Sequence, residues 1–269
     1  MGEQPALPKV LVSVTRKVAT IEINRPNSLH AMDGEVLKAL GDEVERAVRD
    51  PKIRAIVVGS TGGRAFSAGL DTKWLTSGEG VMEEVLKLGT RLSSTIHHAT
   101  KPVVCRVNGL AVGWGFIMAM CCDFRVVAGD ANVFFQLPEF DVNIFPATGA
   151  SYFAILNFGL NKAREMIFTR RRYSVQDLQN LGWITEVVPL AELEERTFKF
   201  ALMLSKIPPA LATTTKAAMA LQADRFTNEM LQLEKDCVHF LAKSPKVSEL
   251  RGFVEELRQK YSSNRARKS

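Results

Sequence analysis

The chain has 269 residues, 46% apolar and 24% charged, with a formal net charge of +6. That composition excludes a disordered or collagen-like protein and leaves room for a large core in one domain or two. The basic excess suits an anionic ligand or nucleic acid, although part of it falls in the tail 264–269, which reads as solvated.

Residues 10–14 and 18–23 are β-rich and partly alternating around Thr15-Arg16-Lys17, which predicts a hairpin. Asn24-Arg25-Pro26-Asn27 predicts a turn. Asp33 is placed to cap a helix in which Val36, Leu37, Leu40, Val44, Ala47 and Val48 recur at helical spacing, and Asp50-Pro51 ends it. The apolar run 55–59 predicts a buried strand, and 61–71 a glycine-rich loop. A helix over 81–96, a buried strand over 103–107, an apolar helix over 114–122 and a strand over 124–128 follow. Strands alternating with helices indicate an α/β class. From Gly149 onward the pattern is helical. Ser174-Val175-Gln176-Asp177 has the form of a capping box closed by Gly182, and further helices are expected over 190–206, 209–222, 227–243 and 247–261. The expected division is an α/β core over 1–200 and a helical region over 201–269.

Several chemistries have little support. The four histidines, His30, His97, His98 and His239, fall in no HExxH or triad spacing, and the cysteines, Cys105, Cys121, Cys122 and Cys237, fall in no metal spacing. The cysteines read as buried free thiols of a reducing compartment. No metal is expected. The apolar run 103–122 is broken by Arg106, Asn108, Gly109, Gly113 and Gly115, so no membrane span is expected either. No leader peptide is visible at the amino end, which suits a cytoplasmic or organelle-matrix location.

Two places have a form suited to binding an oxygen that gains negative charge. Phe66-Ser67-Ala68-Gly69-Leu70-Asp71 and Asn108-Gly109-Leu110-Ala111-Val112-Gly113-Trp114-Gly115 each follow a strand and open a helix. Small residues there let backbone N–H groups approach a ligand, and two such groups aimed at one oxygen make an oxyanion hole. Tight turns that merely connect packed elements have the same spacing.

These residues resemble motifs of the crotonase (enoyl-CoA hydratase/isomerase) superfamily. The first is similar to its F-S-A-G-x-D segment, and the second, with Ala119-Met120-Cys121-Cys122-Asp123, to N-G-x-A-x-G-G-G…A-C-D. Asn24-Arg25-Pro26, Leu137-Pro138-Glu139 with Pro146, Gly149 and Ala150, and 181–189 resemble three further motifs, all in register over about residues 10 to 261. The resemblance implies a spiral of ββα units with a helical C-terminal region, assembled as trimers or hexamers. It implies an acyl-CoA thioester as substrate, with no permanently bound cofactor and coenzyme A entering as part of that substrate. The oxyanion donors map to the backbone N–H groups of Ala68 and Trp114. Arg25, Ala65, Phe66, Gly69, Leu70, Asp71, Gly113 and Pro138 map to the substrate path. Arg64 and Lys73 flank it, and Phe134, Phe135, Phe145 and Trp74 are candidates for shaping an acyl pocket or for the core.

One departure bears on the chemistry. Hydratases of the family carry two glutamates, and the first falls here on Ile117, which cannot transfer a proton. The second matches Glu139. A single carboxylate suits an isomerase, in which one base takes the α-proton and returns it at C4. Asp141 is a candidate auxiliary acid, and the acids of a dienoyl-CoA isomerase would fall on Ile117 and Ala147. Asp123 reads as structural, and His30 stands where the family often has asparagine. The alternatives are a hydratase with a non-standard acid and a non-catalytic CoA-ester binding protein. The helix after Asp33 mixes Glu35, Asp42, Glu43 and Glu45 with Lys38, Arg46 and Arg49, which is no basic stripe, so nucleic acid is not expected.

Overall fold

The computed structural model describes residues 8–130, 132–223 and 227–266. The hairpin forms as β1 (Val10–Thr15) and β2 (Val18–Ile23), joined at Arg16 and Lys17, both with positive φ. A 3-10 turn over Pro26–Ser28 leads to α1 (Gly34–Arg49), which Asp33 caps by accepting from the Val36 N–H at 2.9 Å.

A pattern then repeats. β3 (Ala55–Ser60) and β4 (Ala65–Ser67) precede α2 (Thr72–Leu75) and α3 (Val81–His97). β5 (Val103–Val107) and β6 (Leu110–Val112) precede α4 (Trp114–Cys121). β7 (Phe124–Ala128) and β8 (Phe134–Gln136) precede a 3-10 turn over Glu139–Val142 and α5 (Ala150–Thr169). The first strand of each pair joins one sheet and the second joins another. With β9 (Tyr173–Ser174) and β10 (Glu186–Val188), the sheets run β1-β2-β3-β5-β7-β10 and β4-β6-β8-β9. Every pairing is parallel except β1 with β2 and β8 with β9. Parallel strands must be buried on both faces, which explains the predominantly apolar β3 and β5, every residue of which is buried.

The short strands of the second sheet are what the sequence reading misses. Residues 61–71 and 108–113 read as turns because three-residue strands carry too little alternation to register. α6 (Val175–Asn180) carries the expected capping box between Ser174 and Asp177. α7 (Leu190–Leu204) runs through position 200, burying Leu193, Thr197 and Ala201, so the core extends to Leu204. The C-terminal helices are α8 (Pro209–Ala223), α9 (Thr227–Leu241) and α10 (Val247–Ala266). Residues 264–266 of the tail expected to be solvated continue α10, and 267–269 lie outside the described residues. Asp123 is structural: its carboxylate accepts from the Val103 N–H at 2.7 Å and the Lys216 ammonium at 2.6 Å, tying α8 to the core. Cys105, Cys121 and Cys122 are buried free thiols, and Cys237 is half-buried.

Candidate active site

Three connections leave the C-terminal ends of β4, β6 and β8. These strands are neighbours in the small sheet, and parallel strands lie about 4.8 Å apart. The residues that follow them, Ala68-Gly69, Gly113-Trp114 and Pro138-Glu139, are therefore brought side by side. Gly69 has φ +92, and a β-carbon on it would lie 2.8 Å from the Val112 carbonyl and 3.3 Å from the Trp114 nitrogen. Only glycine lets the first turn close on the second. Gly113 has φ +49, and a β-carbon on it would lie 3.5 Å from Glu139 Oε1 and 3.9 Å from Pro138 Cδ. The second turn thus bears directly on the carboxyl group. Ala68 and Gly113 are half-exposed, whereas Ala65, Phe66, Gly69 and Trp114 are buried.

Glu139 is half-buried as a residue, but its Oε2 atom is buried and accepts no hydrogen bond. Burial pushes its pKa up to about 7. A carboxyl group held in this way is half-ionised near neutral pH and suits proton transfer. Ile117 is 2% exposed within α4, so the position of a second family glutamate is apolar and closed. Asp141 does not join Glu139: its side chain is 51% exposed and pairs with Arg170 at 3.0 Å.

The two backbone donors differ. Trp114 is the first residue of α4, where an N–H has no partner within the helix. The Ala68 N–H donates to the Leu29 carbonyl at 2.9 Å, so a ligand oxygen must share that donor or displace the carbonyl. Leu29 and His30 both have positive φ, and His30 is 2% exposed, with burial holding its pKa below the ordinary value. Its Nδ1 accepts from the Arg25 N–H at 3.1 Å, and its carbonyl accepts from the Ser67 hydroxyl at 2.8 Å. This turn buttresses the first connection.

Arg25 and Asp71 pair with each other at 3.0 Å, and Asp71 caps α2 by accepting from the N–H groups of Lys73 and Trp74. Both are engaged in holding the 25–33 segment against the first turn. Leu70 bridges Met32, Pro138 precedes the turn that carries Glu139, and Arg64 and Lys73 are exposed. Phe135 packs in the core against Phe116 and Trp183, while Phe134 lies under the Arg172 guanidinium. The Trp114 indole is core: the residue is 3% exposed, and Nε1 donates to the Thr148 hydroxyl at 3.0 Å. Among the described residues no three His, Cys, Asp or Glu side chains form a group that could hold a metal.

Sequence reasoning missed Thr148 and Glu234, which support the second turn from behind. Thr148 stands beside Gly149 in the connection before α5, but its partner Trp114 lies 34 residues away, and Glu234 is 85 residues from its partner Gly149.

This arrangement, two glycine turns at neighbouring strand ends beside one buried carboxyl, has the chemical form suited to stabilising a charged oxygen next to a proton-transfer group. Residues 13–264 match the family model for enoyl-CoA hydratase/isomerase, and the chain belongs to that family, within the crotonase superfamily. Among curated relatives, it is 28% identical over 234 residues to the crotonyl-CoA hydratase of Syntrophomonas wolfei, spanning 82% of this chain and 89% of that one. It is also 28% identical over 216 residues to a short-chain-enoyl-CoA hydratase of Clostridium acetobutylicum, spanning 79% and 81%. Among solved structures, an enoyl-CoA hydratase from Mycobacterium avium subsp. paratuberculosis K-10 superposes with a TM-score of 0.79 at 28% identity, covering 89% of this chain and 92% of that one.

Proposed function

We propose that this acyl-CoA-processing enzyme is an enoyl-CoA isomerase that moves a C3 double bond to C2 with Glu139 as its one base. The observation that carries this reading is the single buried carboxyl beside the Gly113 turn, with closed, apolar Ile117 at the other acid position. Glu139 takes the C2 proton, and the electron pair moves onto the thioester oxygen as a dienolate. The Trp114 N–H stabilises that charge, and Ala68 adds a second donor once it yields part of its bond to Leu29. The protonated Glu139 then delivers its proton to C4, leaving the double bond at C2. The rate is expected to rise with pH and level off above about 7, because the base acts ionised and burial sets its pKa there. A pH profile of kcat flat from 5 to 8 would count against Glu139 as the base.

A hydratase is the second reading, favoured by the activities named for the relatives above. Incubating the protein with a 3-enoyl-CoA in deuterated water, and separately with a 2-enoyl-CoA, distinguishes the two by NMR. A double-bond shift from the first substrate supports the isomerase. A 3-hydroxyacyl-CoA from the second supports the hydratase. Neither product, with retained acyl-CoA binding, points to a binding protein.

For assembly we propose a homotrimer or hexamer, supported by exposed Ile155, Leu160, Leu211 and Met219 on α5 and α8, which light scattering would check. We propose no resident cofactor or metal, coenzyme A arriving with the substrate, and a cytoplasmic or organelle-matrix location. Among the described residues no helix is long and apolar enough to cross a membrane. A nucleic-acid role has little support, since the charges on α1 pair with one another and with Arg91.

A further inference from the structure

Glu234 takes no part in the chemistry above, yet it is the only acid among the described residues whose whole residue is buried, at 2% exposed. It projects from α9 onto the start of α5. Its carboxylate accepts from the Gly149 N–H at 2.6 Å, the Tyr152 N–H at 3.1 Å and the Ser151 hydroxyl. Leu231, one turn earlier on α9, is 4% exposed, and a β-carbon on Gly149 would meet it at 3.7 Å.

What Glu234 grips is a strained turn. Gly149 has φ +105 and Thr148 φ +57. A β-branched residue in the left-handed region costs about 1–3 kcal/mol and persists only where its surroundings impose it. Here they do so from two sides. Glu234 fixes the next peptide, and the Thr148 hydroxyl accepts the Trp114 indole N–H at 3.0 Å while donating to the Ala147 carbonyl at 2.7 Å. Gly89 on α3 makes room for this pair: a β-carbon there would lie 2.9 Å from both Thr148 Cγ2 and Trp114 Nε1. The indole so anchored belongs to the residue whose peptide N–H opens α4 beside Gly69.

We propose that Glu234 is a positioning residue: by holding the Thr148–Gly149 turn it keeps the Thr148 hydroxyl on the Trp114 indole and so fixes the Trp114 N–H toward the thioester oxygen. The last link rests on the acyl-CoA reading above. The C-terminal helical region thereby serves the site through one buried carboxylate.

The test uses the full chain, labelled with ¹⁵N, and follows the indole N–H signals. Trp114→Phe assigns the Trp114 signal, and Trp183, whose Nε1 donates to Asn157 at 2.8 Å, is the internal control. Glu234→Gln is expected to move the Trp114 signal and leave Trp183 in place. In parallel, α-proton exchange of butyryl-CoA in deuterated water is read for Glu234→Gln, Thr148→Val and the double variant. Each single change is expected to lower kcat by about 10- to 100-fold with KM within about threefold, since a displacement of about 1 Å costs up to about 10² in rate. The double variant should be no slower than the slower single one, because both act through Trp114. If Glu234→Gln does not fold, Thr148→Val tests the same link from the other end: a still Trp114 signal and unchanged exchange overturn it. An unmoved Trp114 signal in Glu234→Gln, or losses that multiply in the double variant, overturn the proposal. If the wild-type chain exchanges no α-proton, the one-base isomerase reading fails. The indole signals then decide alone, with movement supporting the hold on Trp114 and its absence overturning it.

Discussion

Glu139→Gln is expected to lower the isomerisation rate by about 10²–10⁴-fold, the range supplied by a positioned proton-transfer group, while acyl-CoA affinity stays within a few-fold. Glutamine fills the same volume between Pro138 and Gly113 but cannot take a proton. The assay is the double-bond shift in deuterated water, with affinity measured separately by calorimetry. Retention of more than about a tenth of the rate would remove Glu139 from the role. The same substitution has an expected effect on stability. Burial raises the folded-state pKa from 4.5 to about 7. Between those values the folded chain binds more protons than the unfolded one, so stability falls as pH rises through that window and is lowest above about 7. Glutamine removes that loss, which is on the order of 3 kcal/mol. The variant should melt higher than the wild type at pH 8 and close to it at pH 4.5.

Gly115→Ala is expected to damage both fold and site. A β-carbon there would lie 2.6 Å from the Ser67 carbonyl oxygen and 2.9 Å from Ser67 Cβ. The near obstacle is backbone, so α4 and the end of β4 must move apart. Overpacking of this kind costs about 1–3 kcal/mol, and each kcal/mol lowers the melting temperature by about 2–4 °C in a chain of this size. The separation falls between Ala68 and Trp114, so a loss of about 10² in rate is expected even in protein that remains folded. Gly78→Ala is the control, because a β-carbon there meets nothing within 4 Å. Equal melting temperatures and equal rates for the two variants would mean that the turns do not need their close contact.

The large sheet was legible because burial writes itself into composition. The runs at β3, β5 and β7 are mostly apolar, with Arg106 and Arg125 the charged exceptions, and the α1 and α3 faces recur at helical spacing. Asp33 and the Ser174–Asp177 capping box could be read because caps are local chemistry. The second sheet was not legible from periodicity. β4, β6 and β8 have three residues each, and their partners are set by topology. The site shows the same division. Gly69, Gly113 and Glu139 stand in short connections whose residue types hint at their use. The Leu29 carbonyl that occupies the Ala68 N–H, and the Glu234 carboxylate beneath Gly149, are tertiary facts without a local signature.

The distribution of the thiols has a practical consequence. Three of the four cysteines are sealed in the core, and burial raises the pKa of Cys105 and Cys121. Cys237 is half-buried on α9, three residues past Glu234, and burial raises its pKa to about 11. A partly exposed thiol can meet an alkylating reagent in the folded chain, slowly because burial keeps it protonated, without unfolding the whole chain. Modification is therefore expected to begin at Cys237 and to reach the other three only on global unfolding. Peptide mass spectrometry over time would show that order. The chain thus carries its own reporter on α9, with no engineered label.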